Sequence, residues 1–242
     1  MHYPASSRLA FPAAAFLLLV SNLPVRAASP SIAATPGAIV VGFLGGFVGH
    51  GNSIHNEVQL AKRLRNDYPS GLQVRMFENR RGQQALQEIL RLLDTDKDGT
   101  LSADEKSRAR IAIYGHSWGA SEAVTLARAL ARDQIPVLLT VQVDSVQKLG
   151  EDDRWIPANV TQAINFYQTH GLFHGRSRIR ATDAARTQIL GNFQYDYTSR
   201  PLSCEGYPWF ARHFMKSHIE IESDPVVWQQ VEALIRSKLP PI

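Results

Sequence analysis

The chain has 242 residues, 44% of them hydrophobic and 20% charged. That balance belongs to a globular protein with enough apolar material for one α/β domain, and it excludes a disordered or fibrous chain. The formal charge of +4 comes from scattered Lys and Arg with no block of like charge, which argues against a nucleic-acid partner. Cys204 is the only cysteine, so no intramolecular disulfide is available. Stability has to come from the core and from any bound metal, and Cys204 reads as a packed or half-exposed residue, not a nucleophile.

Met1 to Ala27 reads as an export signal. Arg8 supplies the positive start, Phe11 to Val20 the apolar run, and Val25-Arg26-Ala27 a small-x-Ala cleavage site. The run is too short for a permanent span, and no later segment is long enough for one either. The expectation is an exported protein, periplasmic or secreted, without a stable membrane span. Residues 28–37 are a linker of small residues and Pro, and 38–242 form one domain. Ala38 to Phe43 is a continuous apolar run, as expected of a strand buried on both faces of a parallel sheet. It runs into a glycine-rich turn, Leu44-Gly-Gly-Phe-Val-Gly49. Ile54 to Leu64 has helical spacing, Leu72 to Phe77 reads as a strand, and Gln83 to Leu93 as an amphipathic helix.

Asp94 to Glu105 matches the calcium loop of an EF-hand position by position. Asp94, Asp96 and Asp98 stand at positions 1, 3 and 5, Gly99 at the turn, and Thr100 where a backbone carbonyl coordinates. Ser102 is at position 9 and Glu105 at the bidentate position 12. So many carboxylates repel one another unless a hard cation lies among them. With no second such loop, the reading is one structural Ca2+ site tying the preceding helix to the next strand, the following helix being short.

Ile111 to Tyr114 is apolar and β-prone, and Ser121 to Arg132 is helix-forming. Between them runs Gly115-His-Ser-Trp-Gly119, a G-x-S-x-G pattern that places Ser117 at the tip of a sharp strand-to-helix turn. Pro136 to Val143 is a strand ending in Asp144. From Lys148 to Gln188 the patterning loosens. Pro157 to Gln168 reads as a helix, and 148–188 forms either a small cap or wall over a site or an ordinary crossover. Asn159-Val-Thr161 is a glycosylation sequon. Ile189 to Tyr197 reads as a strand, and Asp224-Pro225 opens a last helix running to about Lys238. Strands alternating with helices predict a mostly parallel sheet with helices on both faces.

The strand, the G-x-S-x-G turn and the helix after it resemble the nucleophile elbow of the α/β-hydrolase family. The resemblance covers most of the chain in element order, but only the elbow and the histidine region are motif-specific. It implies Ser117 as nucleophile, with an acid and then a histidine following in the chain. For the histidine we take His218, in a loop shortly before the final helix, with His213 as second choice. For the acid we take Asp144 at the end of the strand after the elbow helix. The alternative is Asp196, on the next strand, where most of the family carry theirs. The oxyanion donors implied are the N–H of Leu44 or its neighbour and that of Trp118. Gly42-Phe43 stands where many relatives have His-Gly, which leaves the first donor open.

The activity implied is that of a serine hydrolase on a carboxylic ester, lipid ester or thioester, with no cofactor for the chemistry and a monomeric chain. A peptidase or amidase on the same residues, and a non-catalytic calcium-binding module of the same fold, are the alternatives. His50 and His55 lack the one-turn spacing of a metal pair, with no carboxylate motif beside them, and read as loop residues near the site mouth, while His116 fills the variable elbow position. Asp153 and Asp183 read as solvent-facing or capping residues.

Overall fold

A computed structural model describes residue 2, residues 37–46 and residues 52–240. The export signal expected over 1–27, nearly all of the linker, and His50 lie outside the described residues. In chain order the elements are β1 (Ala38–Leu44), α1 (Asn56–Asp67), β2 (Leu72–Glu78), α2 (Gly82–Leu93), α3 (Ala103–Ser107), β3 (Ile111–His116), α4 (Trp118–Arg132) and β4 (Val137–Val143). There follow β5 (Trp155–Ile156), β6 (Val160–Tyr167), β7 (Arg180–Ala181), β8 (Gln188–Gln194), α5 (Trp209–Phe214), α6 (Lys216–Ser223) and α7 (Pro225–Arg236).

Among the described residues, six strands form one sheet in the order β2-β1-β3-β4-β6-β8, and every neighbouring pair is parallel. Parallel neighbours need crossovers: helices α1 to α4 supply those between β1 and β4, β4 to β6 and β6 to β8 are joined by segments carrying only β5 and β7, and the helices cover both faces. Strand alternation divides the core accordingly. Val40, Ala112, Tyr114 and Val141 pack with Leu60 and Leu64 of α1 and with Trp228, Val231 and Ile235 of α7. Ile39, Val41, Phe43, Ile111 and Ile113 pack on the other face with Ala85, Ile89 and Leu93 of α2 and with Val124, Ala127 and Leu130 of α4. The fold is the mostly parallel sheet with helices on both faces expected above. Among the described residues no helix is long and apolar enough to cross a membrane.

Four readings of local structure need correction. Pro157 to Gln168 is not a helix. Val160, Thr161, Ile164, Phe166 and Tyr167 are β-prone, and the open slot between β4 and β8 takes them as β6. The 148–188 segment is therefore not a separate cap, since its middle is a sheet strand and what remains is the two-stranded β5–β7 ribbon. The strand read to Tyr197 ends at Gln194, which leaves Asp196 beyond it. His218 lies inside α6 and not in a loop. The last helix opens as expected, Asp224 accepting from the Val226 amide with Pro225 at the first turn.

Candidate active site

The elbow is dictated by sterics. Ser117 has φ 57° and ψ −127° as the N-cap of α4, a backbone conformation that costs a residue with a side chain about 1–3 kcal/mol. The surroundings hold it there. Its N–H donates to Val143 O at 3.0 Å, and its carbonyl accepts from Ala120 N at 3.1 Å and Val146 N at 3.3 Å. A Cβ on Gly115 would stand 2.5 Å from the carbonyl of Gly119, and one on Gly119 would stand 2.3 Å from Phe43 O. Both glycines of the motif are thus required by close backbone approach, and β3, α4 and β1 meet at the serine.

Helix α6 supplies the imidazole. His218 is buried, with Nε2 2.9 Å from Ser117 Oγ and Nδ1 2.6 Å from Asp144 Oδ2. A carboxylate can only accept, so Nδ1 carries the proton and Nε2 is left to accept from the serine hydroxyl. Asp144 has left-handed backbone, φ 43°, and is fully buried. It is satisfied by Gln168 N (3.1 Å), Gln168 Nε2 (2.8 Å) and Gly175 N (2.7 Å) besides His218. A Cβ on Gly175 would lie 2.4 Å from Asp144 Oδ1. Gln168 and Gly175 carry no motif and were missed in the sequence, because only the folded chain brings them to Asp144.

The other candidate residues lie elsewhere. Asp196 is exposed, accepts from Thr198 N at 2.8 Å and sits 3.4 Å from His170. His213 is exposed on α5, edge-on to Phe214. Asp153, read as solvent-facing, is fully buried against Ser145 and Arg176. Asp183 does cap a turn, accepting from Ala185 N at 2.9 Å. The Asn159 amide donates to Ala127 O and Ile135 O, at 3.0 and 2.9 Å.

The donor assigned to Leu44 meets a geometric objection. Ala38 N donates to Gly71 O on the β2 side, and Ile39 N to Arg110 O on the β3 side. This alternation along the strand turns the Leu44 N–H toward β2, away from Ser117. Its neighbour Gly45 lies against the serine, where a Cβ would come within 2.9 Å of Ser117 Cβ. Trp118 is the first helical residue of α4, where the helix dipole favours developing negative charge. A surface cleft beside it is lined by Asn79, Trp118, Gln147, Lys148, Leu149 and Gly150.

The acidic loop keeps part of its expected arrangement. Asp94, Asp96 and Asp98 present oxygens within 4.8 Å of one another, and Asp94 Oδ1 is buried without a partner. Gly99 makes the turn at φ 84°. Glu105 stands apart from that group. It accepts from Thr95 N at 2.7 Å and closes a capping box with Ser102 at the start of α3. The Thr95 amide, then the Ser102 amide and hydroxyl, hold its carboxyl down at about 2. Thr100 donates its hydroxyl to Asp98 Oδ1 at 2.8 Å. The Asp98 amide draws Asp96 down, but burial and the charges of Asp98 and Glu105 outweigh it and push Asp96 up. Such mutual repulsion is what a hard cation relieves.

Behind the serine lies a second group that the sequence did not reveal. His55, read as a loop residue at the mouth, is the buried N-cap of α1 and is hydrogen-bonded to Glu222. Glu57, His116 and Glu222 complete the group, all buried. His116 Nδ1 is 3.5 Å from Glu222 Oε2 and 3.8 Å from Glu57 Oε1, and its ring lies 4.5 Å from that of His218. Burial pushes the Glu57 carboxyl up, and the charge of Glu222 adds to this. Burial also pulls His116 down to about 4. For Glu222 burial acts upward, but the facing His116 and His55 outweigh it and hold it at about 2.

No protein-family model matches the chain, and no curated protein matches it by sequence. Solved structures do align with it. A hydrolase of the alpha/beta superfamily from Xanthomonas campestris is 12% identical over 83% of this chain and 99% of its own, with TM-score 0.39. An acetyl xylan esterase is 12% identical over 84% and 99%, with TM-score 0.39. A thermostable esterase from Pseudomonas putida is 12% identical over 86% and 74%, with TM-score 0.41.

Proposed function

We propose that this protein is an exported serine hydrolase of the α/β-hydrolase type, cleaving a carboxylic ester, lipid ester or thioester through an acyl-enzyme. The observation that carries the proposal is the unbroken series Ser117 Oγ, His218 Nε2, His218 Nδ1, Asp144 Oδ2, with contacts of 2.9 and 2.6 Å. A serine hydroxyl is a weak nucleophile until a base takes its proton, and here the base is within reach and its tautomer is set by a buried carboxylate.

In the proposed reaction Ser117 Oγ attacks the acyl carbon as its proton passes to His218 Nε2. Asp144 stabilises the imidazolium that results. The oxyanion is held by the Trp118 amide and an amide of the glycine turn beginning at Gly45. Collapse breaks the bond to the leaving group, which departs with the proton from His218. Water, deprotonated by the same imidazole, then releases the acid and restores the serine. No step requires a cofactor, and calcium at Asp94, Asp96 and Asp98 would serve the fold alone. Exposed Trp209, Phe210 and Phe214 on α5, just before the helix bearing His218, favour a substrate with an apolar portion.

Fluorophosphonate labelling of wild type beside Ser117→Ala, followed by rates on p-nitrophenyl esters of increasing acyl length, tests this reading. Labelling confined to wild type, with ester turnover lost in the variant, is expected. Labelling that persists in Ser117→Ala would place the nucleophile elsewhere.

A further inference from the structure

The buried group behind the elbow has the composition of a metal site. Ligand atoms of His55, Glu57 and Glu222 all lie within 4.8 Å of one another, and His116 Nδ1 lies within 4 Å of both carboxylates. Metal bonds of 2.0–2.2 Å to nitrogen and oxygen require donors about 3–4 Å apart, which small side-chain movements here would provide. The Glu57 carboxylate is fully buried, and neither of its oxygens has a hydrogen-bond partner. A buried carboxyl left without partners is costly in either protonation state, and a cation among the four side chains would satisfy it in its ionised form.

We propose that His55, Glu57 and Glu222, with His116 as a fourth ligand, bind one divalent transition-metal ion of the zinc class. Imidazole nitrogens together with carboxylate oxygens suit Zn2+, Co2+ or Mn2+, whereas Ca2+ takes an all-oxygen set of six to eight ligands. The ligands come from the start of α1, the end of β3 and the end of α6. His116 immediately precedes Ser117, and Glu222 lies one helical turn after His218. The ion therefore ties the element carrying the serine to the element carrying its imidazole. Around it, His55 stands edge-on to Tyr207, while Asn56 and Trp228 fix the Glu222 carbonyl at 2.8 and 2.6 Å. Lying behind the serine, the ion has a structural role, independent of whether the protein hydrolyses esters.

The test uses untagged exported protein, stripped with a transition-metal chelator and kept in excess Ca2+ so that the acidic loop is satisfied. Zn2+ or Co2+ is then titrated in. One bound equivalent of Zn2+ by elemental analysis, a visible d–d band with Co2+, and a Tm increase of about 5 °C or more at hundredfold excess over Kd support the site. Glu57→Gln and His55→Gln should lose that equivalent while Asp94→Asn keeps it. Wild-type protein that takes up no Zn2+ or Co2+ beyond the calcium loop overturns the proposal even if a variant fails to fold. Undiminished uptake by folded Glu57→Gln overturns it too.

Discussion

His218 Nε2 stands 2.9 Å from Ser117 Oγ, although 101 residues of chain separate them. The contact requires β3 to end in a turn that lifts the serine above the sheet and α6 to return across that end of the sheet. If it drives hydrolysis as proposed, His218→Ala lowers kcat by about 10⁴-fold or more while leaving the circular dichroism spectrum intact. An effect below tenfold would mean that another group serves as base.

Asp144 and Asp196 are separated by their surroundings. Asp144 is buried and bonded to His218, whereas Asp196 faces solvent beside His170. Asp144→Asn is expected to reduce kcat by about 10³–10⁴-fold, because an amide there favours the wrong imidazole tautomer. Asp196→Asn should stay within twofold of wild type. The reverse ranking would assign the acid to Asp196.

Gly175 packs directly on Asp144. Alanine there places a methyl group 2.4 Å from Oδ1, and its backbone N–H is one of the carboxylate's donors. Gly175→Ala should destabilise the protein by about 1–3 kcal/mol through overpacking. It should also lower kcat more than KM by displacing the carboxylate, as steady-state kinetics beside a urea melt would show.

For the acidic loop, calcium removal with a calcium-selective chelator is expected to lower Tm, with Ca2+ restoring it. Asp94→Ala should melt alike with and without Ca2+. A variant that melts like wild type in excess Ca2+ would count against the loop as a binding site.

Acid should weaken one surface contact in a defined window. Arg91, then Arg75, hold Glu88 down at about 2, so the folded carboxyl binds its proton less readily than the unfolded one. The resulting stability is complete above about pH 4.5 and is lost as pH falls toward 2. Because the group is partly solvent-exposed, its contribution is below about 1 kcal/mol. Glu88→Gln should therefore lower Tm slightly at pH 7 and by less at pH 2.

The parallel sheet and the elbow were legible in the sequence because their signals are local. Buried strands read as apolar runs, amphipathic helices as periodic ones, and two glycines around a serine as a close backbone approach. His218 could be placed near the last helix but was assigned a loop, since Lys216 to Ser223 is short and mixed in character. β6 was misread because a short stretch opened by proline fits either helix or strand until its neighbours are known.

What the sequence alone determined was the alternation of strands and helices from β1 to β4, the last helix, the turn at Ser117 and the acidic loop, all set by residues adjacent in the chain. Which aspartate faces His218, which way the Leu44 amide points, and the gathering of His55, Glu57, His116 and Glu222 behind the serine were decided by tertiary structure alone. Each depends on distant segments packing onto one end of the sheet, and burial and hydrogen-bond partnership at that end have no signature in residue spacing.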